Sequence, residues 1–527
     1  MTARALTFGG TSYPLILPNI RDPRLHVASV IITIHVLGQV GLHFNASVPQ
    51  ILAAILASAL IEVALTFRTA RAFVWPASAM LTGSGVALIL RVVGTPADQP
   101  WNTDAWWVFA GVSAFSLLTK YVIKYRGTHV FNPSNIGLVV AFLVLGVTRV
   151  EPLDFWWAPL TNAWMIVAYA VIIGGGLLIT RRLKLLELAA TYWIALTIGV
   201  GILAGSGHCM TANWSFTPVC GTDFWRVIVT SPEVLIFLFF MITDPKTTPA
   251  GRVGRVVFAF LVAIFSVLLM APQVDEWGTK VGLLSSLVIV CAARPLLDRV
   301  LPEPRTAADD LRRFAARVVV GGEGSGLVPR AARVGLLVVA LLVLGAGIVV
   351  AGTPARGTTP ANTAEVLDRV PHQVDPSTFP PITVDQGVAD WDHSIAGPGA
   401  QEIVLTLAEN LELENQALLR RDPSILPAVD HGDRLTEMRR RLEDAAAGGD
   451  VTISHYHFDA LDMRLIEPFG VQTGLSLGLD AHGTMTEEIY DAAGTITSTR
   501  EAPFSLTFVM RRATGDRWLN VGVLPAE

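Results

Sequence analysis

The chain has 527 residues, of which 52% are hydrophobic and 16% charged, with a formal net charge of −5. That is too apolar for an ordinary soluble protein, so a lipid bilayer must solvate much of it, and the near-balanced charge argues against a nucleic-acid surface. Three cysteines are too few for a disulfide scaffold or a thiolate-rich metal or cluster site, so no metal is expected, and redox chemistry would require an organic cofactor.

Residues 1–24 are mixed, contain Pro14, Pro18 and Pro23, and read as a cytoplasmic segment without a cleaved signal peptide. A spanning helix needs about 20 mostly apolar residues. Eleven segments meet that standard, near 25–44, 48–67, 73–93, 105–121, 132–148, 163–180, 185–204, 224–242, 255–272, 280–298 and 334–351. Basic residues alternate between the connecting loops: Arg68 and Arg71, Lys120 and Lys124, Arg181 and Arg182, and Arg252 and Arg255 all fall on one side. Because cytoplasmic loops retain Lys and Arg, the N-terminus is expected in the cytoplasm and the C-terminus outside. Cys209 and Cys220 flank a polar loop on the expected outer side, where a disulfide can persist.

Residues 299–333 form an Arg-rich cytoplasmic linker, whose stretch Asp309 to Val320 is expected to lie amphipathically on the inner leaflet. Beyond the eleventh span, the Pro-, Thr- and Gly-rich residues 352–400 read as an extracytoplasmic linker. From Gln401 to about Ala446 the apolar spacing is helical, interrupted at Pro423 and Pro427; thereafter a period of two predicts a strand meander. The expected architecture is therefore a mainly α polytopic bundle with an extracytoplasmic α+β domain over 401–527. In pattern this domain resembles the cystatin or SnoaL-like superfamily.

Two stretches on the expected cytoplasmic side carry unusual polarity: KYRGTHVFNPSN at 124–135 and MITDPKTTPAGR at 241–252. In the first, Asn132, Ser134 and Asn135 open a helix whose unpaired N–H groups can hold an anion or a carbonyl, and Pro133 suits its first turn. In the second, Pro245 and Pro249 hold the backbone out of helix around Asp244, Lys246, Thr247 and Thr248, and such backbone at membrane depth must be buried or line a cavity. The bland alternatives are a capping loop and a rigid turn.

FNPSN and TDPKTTP, with their placement among the spans over residues 25–298, resemble the FNP(A/S) and TDP-x-(S/T)-x-P motifs of the RnfD/NqrB family, the related membrane subunits of Rnf electron-transport complexes and of the sodium-pumping NADH:quinone reductase. The resemblance is to a divergent actinobacterial branch that includes members from enediyne-biosynthesis clusters. It implies about ten helices in two related halves, redox partner proteins, and a cofactor-binding role for Arg126, Asn132, Pro133, Ser134, Asn135, Thr243, Asp244, Lys246, Thr247 and Thr248. Better-known members attach flavin mononucleotide to the Thr of an S-G-A-T motif, which is absent here, so the implied flavin, FMN or riboflavin, is non-covalent. The eleventh span and the outer domain also depart from the family pattern.

Other residues invite bland readings. Glu62 and His35 lie in apolar spans and are functional candidates by default, though Glu62 is near enough to pair with Arg68; Glu187 reads as a boundary partner of Lys184. Trp101, Trp106, Trp107, Trp156, Trp157 and Trp225 suit an interfacial belt. His455 and His457 share one strand face but lack a clear third metal ligand. The expected function is a membrane electron-transfer subunit for a flavin or quinone, with no G-x-G-x-x-G nucleotide motif of its own. The alternatives are a transporter with inverted repeats and a membrane-anchored binding protein.

Overall fold

The computed structural model describes residues 3–8, 11–19, 22–42, 44–95, 99–153, 163–212, 214–320, 330–356, 379–395, 397–466, 476–491, 494–513 and 517–526. The chain divides into two compact units, the larger built from Met1–Gly146, Val150–Met210 and Val219–Thr358, and the smaller mainly from Thr359–Glu527. Trp156, Trp157 and residues 357–378 of the 352–400 linker lie outside the described residues.

The larger unit opens with a hairpin, β1 (Ala3–Phe8) and β2 (Thr11–Ile16), followed by α1 (Pro23–Gly41) and α2 (Val48–Ala70). Strand β3 (Phe73–Val74) pairs with β2 and leads into α3 (Ala77–Ile89), which runs on into β4 (Leu90–Val92). Helix α4 (Trp106–Val122), the tight hairpin β5 (Lys124–Tyr125) and β6 (Thr128–His129), and α5 (Pro133–Leu145) follow. Strand β7 (Val150–Pro152) returns to pair with β4. Then come α6 (Ala163–Leu183), α7 (Leu186–Gly205), β8 (Cys209–Ala212), β9 (Ser215–Cys220) and α8 (Gly221–Thr230). Helix α9 (Pro232–Ile236) continues as a π turn, Phe237–Met241, and is followed by α10 (Arg252–Met270), α11 (Glu276–Ala292), α12 (Arg294–Val300), α13 (Leu311–Val320) and α14 (Arg330–Ala351). Cys209 and Cys220 are joined as a disulfide.

Every segment read as a span contains helix, but the count of eleven complete crossings does not carry over. Among the described residues, seven helices are long and apolar enough to cross a membrane, and the pair α11 and α12, bent by 53°, adds an eighth if it counts as one span. Helices α3 and α5 have 13 residues each, a rise of about 20 Å against a hydrocarbon core of about 30 Å. Both stop where the backbone becomes extended or turns, α3 at Leu90 and α5 at Gly146, whose φ is +79°. Leu90, Val92 and Val93 after α3, and Val147 after α5, keep an averaged hydropathy high past both helix ends. Antiparallel pairing of Leu90 with Pro152 and Val92 with Val150 gives that non-helical backbone the hydrogen bonds lipid cannot supply.

Small residues set the helix spacing. A side chain at Gly83 of α3 would strike the backbone of Ala54 and Ile55 on α2, and one at Gly137 of α5 would strike Ser116 on α4, so these helices touch nearly backbone to backbone.

The smaller unit holds α15 (Gln386–Trp391), α16 (Pro398–Arg420) and α17 (Gly432–Gly448) against a five-stranded sheet of β10 (Ile382–Val384), β11 (Val451–Ile466), β12 (Ser476–Tyr490), β13 (Ile496–Arg512) and β14 (Trp518–Pro525), in that order. The last four strands form an antiparallel meander, whereas β10 joins β11 in parallel. Val404, Leu407 and Leu411 of α16 bury against Phe458, Leu479 and Phe508 of the sheet. Between α16, α17 and β14 lies a buried polar knot, in which Arg434 clasps both oxygens of Glu414 while Asn520 Nδ2 donates to Glu414 Oε1 at 2.9 Å.

Candidate functional site

The two polar motifs, far apart in sequence, wall one cavity. The tight β5–β6 turn places Arg126 and Gly127 at positive φ, +49° and +79°, and returns the chain so that His129 points back into the bundle. Asn132 then caps α5, its Oδ1 accepting from Asn135 N at 3.2 Å and from Ser134 Oγ at 2.9 Å. On the other side the π turn widens the helix before Thr243, and Asp244 organises the non-helical segment. Its Oδ1 accepts from Lys246 N at 3.0 Å, and its carbonyl accepts from the N–H groups of Thr247 and Thr248 at 3.1 Å each.

Two direct contacts close the motifs on each other. Asn132 Nδ2 donates to Met241 O at 3.3 Å, and His129 Nε2 lies 3.2 Å from Asp244 Oδ2. The cavity between them has a volume of about 220 Å³. Its inner wall is apolar, with Ile31, Leu88, Ile89, Ile236, Phe239 and Phe240; its polar rim carries His129, Asn132, Ser134, Thr243, Asp244 and Lys246. Pro23 and Arg24 border it and also border a second, more open cavity of about 410 Å³ beside Trp75 and the N-terminal hairpin.

Of the residues singled out from sequence, Asn132, Pro133, Ser134, Thr243, Asp244 and Lys246 line this space. Others do not. Asn135 is buried and donates through Nδ2 to Leu284 O at 2.9 Å, a structural tie between α5 and α11. Thr247 and Thr248 are buried behind the Asp244 turn. Arg126 faces away, 3.4 Å from Asp298. Conversely, His129, Arg24 and Ser78 reach the cavity although no role was read for them; His129 sits inside the first motif stretch, and that position was the available signal.

A buried ion pair supports the same end of the bundle, and it corrects one sequence reading. Glu62 pairs with Lys120 of α4 at 2.6 Å, not with Arg68. Its second oxygen accepts from Ala79 N at 2.9 Å, so a carboxylate on α2 caps the start of α3 where the helix dipole favours negative charge. Lys120 also donates to the cavity-lining Ser78 at 3.1 Å. Likewise Glu187 pairs with Arg252, not Lys184. His35 is buried with Nε2 3.2 Å from Ser84 Oγ, a helix-to-helix tie. His457 is exposed beside Asp459, and among the described residues no group of three or more His, Cys, Asp or Glu could hold a metal ion.

Chemically, the cavity offers a slot with aromatic and aliphatic walls ending in amide, hydroxyl, imidazole and carboxylate groups.

The chain is 23% identical over 262 aligned positions, covering 36% of this chain and 72% of the other protein, to an ion-translocating oxidoreductase complex subunit of Alcanivorax borkumensis. No family model matches the chain.

Proposed function

We propose that the chain is the membrane subunit of a redox complex and holds a non-covalent flavin or a quinone between its two polar motifs. The observation that carries this reading is the meeting of the polar stretches 124–135 and 241–252 at one cavity, through the Asn132 to Met241 and His129 to Asp244 contacts. The similarity to an ion-translocating oxidoreductase subunit supports it and makes redox partner proteins part of the proposal. In the same reading the basic loops face the cytoplasm, and the disulfide and the smaller unit lie outside, where an oxidising compartment maintains the Cys209–Cys220 bond.

The bound ring would supply the electron chemistry, and the chain's own residues would position and tune it. Phe239 and Phe240, which line the cavity, would shield the bound group from water. Asn132 and Ser134 would offer it polar contacts. His129, held by Asp244, would be placed to exchange a proton with it.

A visible absorbance spectrum of the detergent-purified protein, before and after acid precipitation, tests the proposal. Release of a flavin spectrum, diminished in Asn132→Ala and Asp244→Ala, supports it. If the protein is colourless and its solvent extract holds no quinone, the reading fails. A second reading, a carrier, draws on the helix breaks at α3 and β4, α5 and β7, and α8 and α9, since interrupted helices also shape substrate sites in transporters.

A further inference from the structure

A third wall of the cavity, formed by the start of α3, carries a hydroxyl unlike the others. Four hydroxyls line the space, those of Ser78, Thr82, Ser134 and Thr243. Three have their hydrogens committed: Thr82 donates to Ser78 O at 3.1 Å, Ser134 to Asn132 Oδ1 at 2.9 Å and Thr243 to Phe239 O, and each of these oxygens can only accept. What these three present to a ligand is therefore lone pairs. Ser78 is the reverse. Lys120 Nζ lies 3.1 Å from its Oγ, and an ammonium only donates, so the Ser78 oxygen is the acceptor in that contact. A serine inside a helix gives its own hydrogen to the carbonyl four residues back, but Ser78 stands in the first turn of α3, where the helix has no such carbonyl. Among the described residues, Lys120 is the one hydrogen-bonding partner of its Oγ.

The ammonium that imposes this polarity is itself fixed. Glu62 Oε1 accepts from Lys120 at 2.6 Å and from the Tyr121 hydroxyl at 3.2 Å, while its Oε2 accepts from Ala79 N at 2.9 Å. The Lys120 and Glu62 side chains are 13% and 11% exposed, so water competes little for either. Farther along α3, a side chain at Gly85 would come within 3.1 Å of Ser134 Oγ, which marks where this helix passes the first motif. From Ser78 to Gly85 a helix rises about 10 Å, so the donor at Ser78 and the lone pairs at Ser134 meet different parts of anything bound.

We propose that Ser78 is a ligand-binding residue that donates its hydroxyl hydrogen to a ring carbonyl oxygen of the bound group, one whose negative charge grows on reduction, and that Lys120 is the positioning residue that keeps this hydrogen available. The inference rests on the reading of the cavity as the site of a flavin or a quinone, both of which carry such a carbonyl. Neither polar motif supplies either residue. With its oxygen held by a cation, the Ser78 hydroxyl is the stronger donor, and a hydrogen bond to a charged oxygen is about twice as strong as one to a neutral oxygen. The arrangement therefore favours the reduced form of the ligand over the oxidised one.

Equilibrium dialysis of the detergent-purified full chain against riboflavin, and in parallel against menadione, tests this in mildly alkaline buffer, with each probe oxidised and, anaerobically, reduced by dithionite. Ser78→Ala leaves the Glu62–Lys120 pair in place and should weaken binding about fivefold for the oxidised probe and about thirtyfold for the reduced one, the difference between a hydrogen bond to a neutral and to a charged acceptor. Ser78→Thr, which keeps the hydroxyl, should restore both. Glu62→Gln/Lys120→Met removes the cation without stranding a carboxylate and should reproduce the loss selective for the reduced probe; equal weakening of both forms would make Lys120 purely structural and overturn its role. Should the double variant fail to fold, judged by size exclusion, the two Ser78 variants decide. No loss in Ser78→Ala, or a loss equal in both forms, overturns the proposal and leaves the reading of the cavity intact. If neither probe binds the parent chain in either form, that reading fails and the proposal falls with it.

Discussion

His129 Nε2 and Asp244 Oδ2, 115 residues apart in sequence, lie 3.2 Å from each other across the cavity mouth. The contact couples the β5–β6 hairpin to the turn after the π segment, so the mouth's shape depends on both.

Removing either tie should therefore loosen the cavity before it unfolds the bundle. Asn132→Ala deletes the α5 cap and the bond to Met241 O, and a lost cap costs about 1 kcal/mol. We expect a modest fall in Tm in detergent together with loss of bound ligand. Gly176→Ala reaches the same wall from outside, because its new methyl would strike the Phe239 ring. It should cut ligand retention although Gly176 itself does not line the cavity; unchanged retention would remove Phe239 from the site.

The Glu62–Lys120 pair is at once buried and a helix cap, so its two halves are unequal. Lys120→Met leaves a buried carboxylate without its cation, and breaking such a pair costs about 3–5 kcal/mol. Glu62→Gln keeps an acceptor for Ala79 N. A double-mutant cycle read by thermal unfolding should show strong coupling, with Glu62→Gln/Lys120→Met more stable than Lys120→Met alone. Additive losses would mean that the pair is merely adjacent.

In the smaller unit, Asp430 is buried beside Glu414, and burial first, then the Glu414 charge, raise its pKa well above 3.8. A carboxyl raised on folding binds its proton more tightly in the native state. Its contribution is fully present at pH below about 3.8 and is lost as pH climbs from there through the raised native value. Glu437 acts oppositely: despite its burial, Arg434 and Arg441 hold its pKa low, and its contribution is lost on acidification. Asp430→Asn should flatten the alkaline limb of the unit's stability profile, measured by hydrogen exchange in β14, without a comparable effect on the acid limb.

Thiol labelling tests the cysteine arrangement. Cys291 is buried and Cys209 is bonded to Cys220. A maleimide should label no site in the native protein, one after denaturation and three after denaturation with reduction. Two or three labels without reduction would show the 209–220 pair to be free.

How much of this was readable in the residues alone follows from what each signal averages over. Hydropathy located the long apolar helices described in the larger unit because a window of apolar residues measures partition into lipid. The same averaging hid the ends of α3 and α5, since the single Arg91 of Leu90–Val92 is diluted by the apolar residues around it. Motif stretches pointed to Asn132 and Asp244 because polar, Pro-interrupted sequence at a span's end is costly unless used. They overreached at Asn135, Thr247 and Thr248, whose polar atoms serve backbone geometry rather than the cavity. Charge partners were misjudged where tertiary distance decides: Glu62 found Lys120, 58 residues away, over Arg68 a turn and a half along its own helix. Glu233 escaped notice because it is a single charge within an apolar stretch, and Lys280 because it stands at the start of a span just after Asp275 and Glu276; only the fold brings them together.

The shortness of α3 and α5 bears on how the protein would meet an electrical gradient. Where α3 stops, Ile89, together with Ile236, lines both the larger cavity and a small void beside Lys280. Voltage falls mostly across the thinnest insulating stretch, so a bilayer potential would concentrate there instead of spreading through the full hydrocarbon depth. A unit charge carried across the whole potential is worth about 2.3 kcal/mol per 100 mV. At such a constriction most of that work would attach to any charge moved past Ile89 and Ile236.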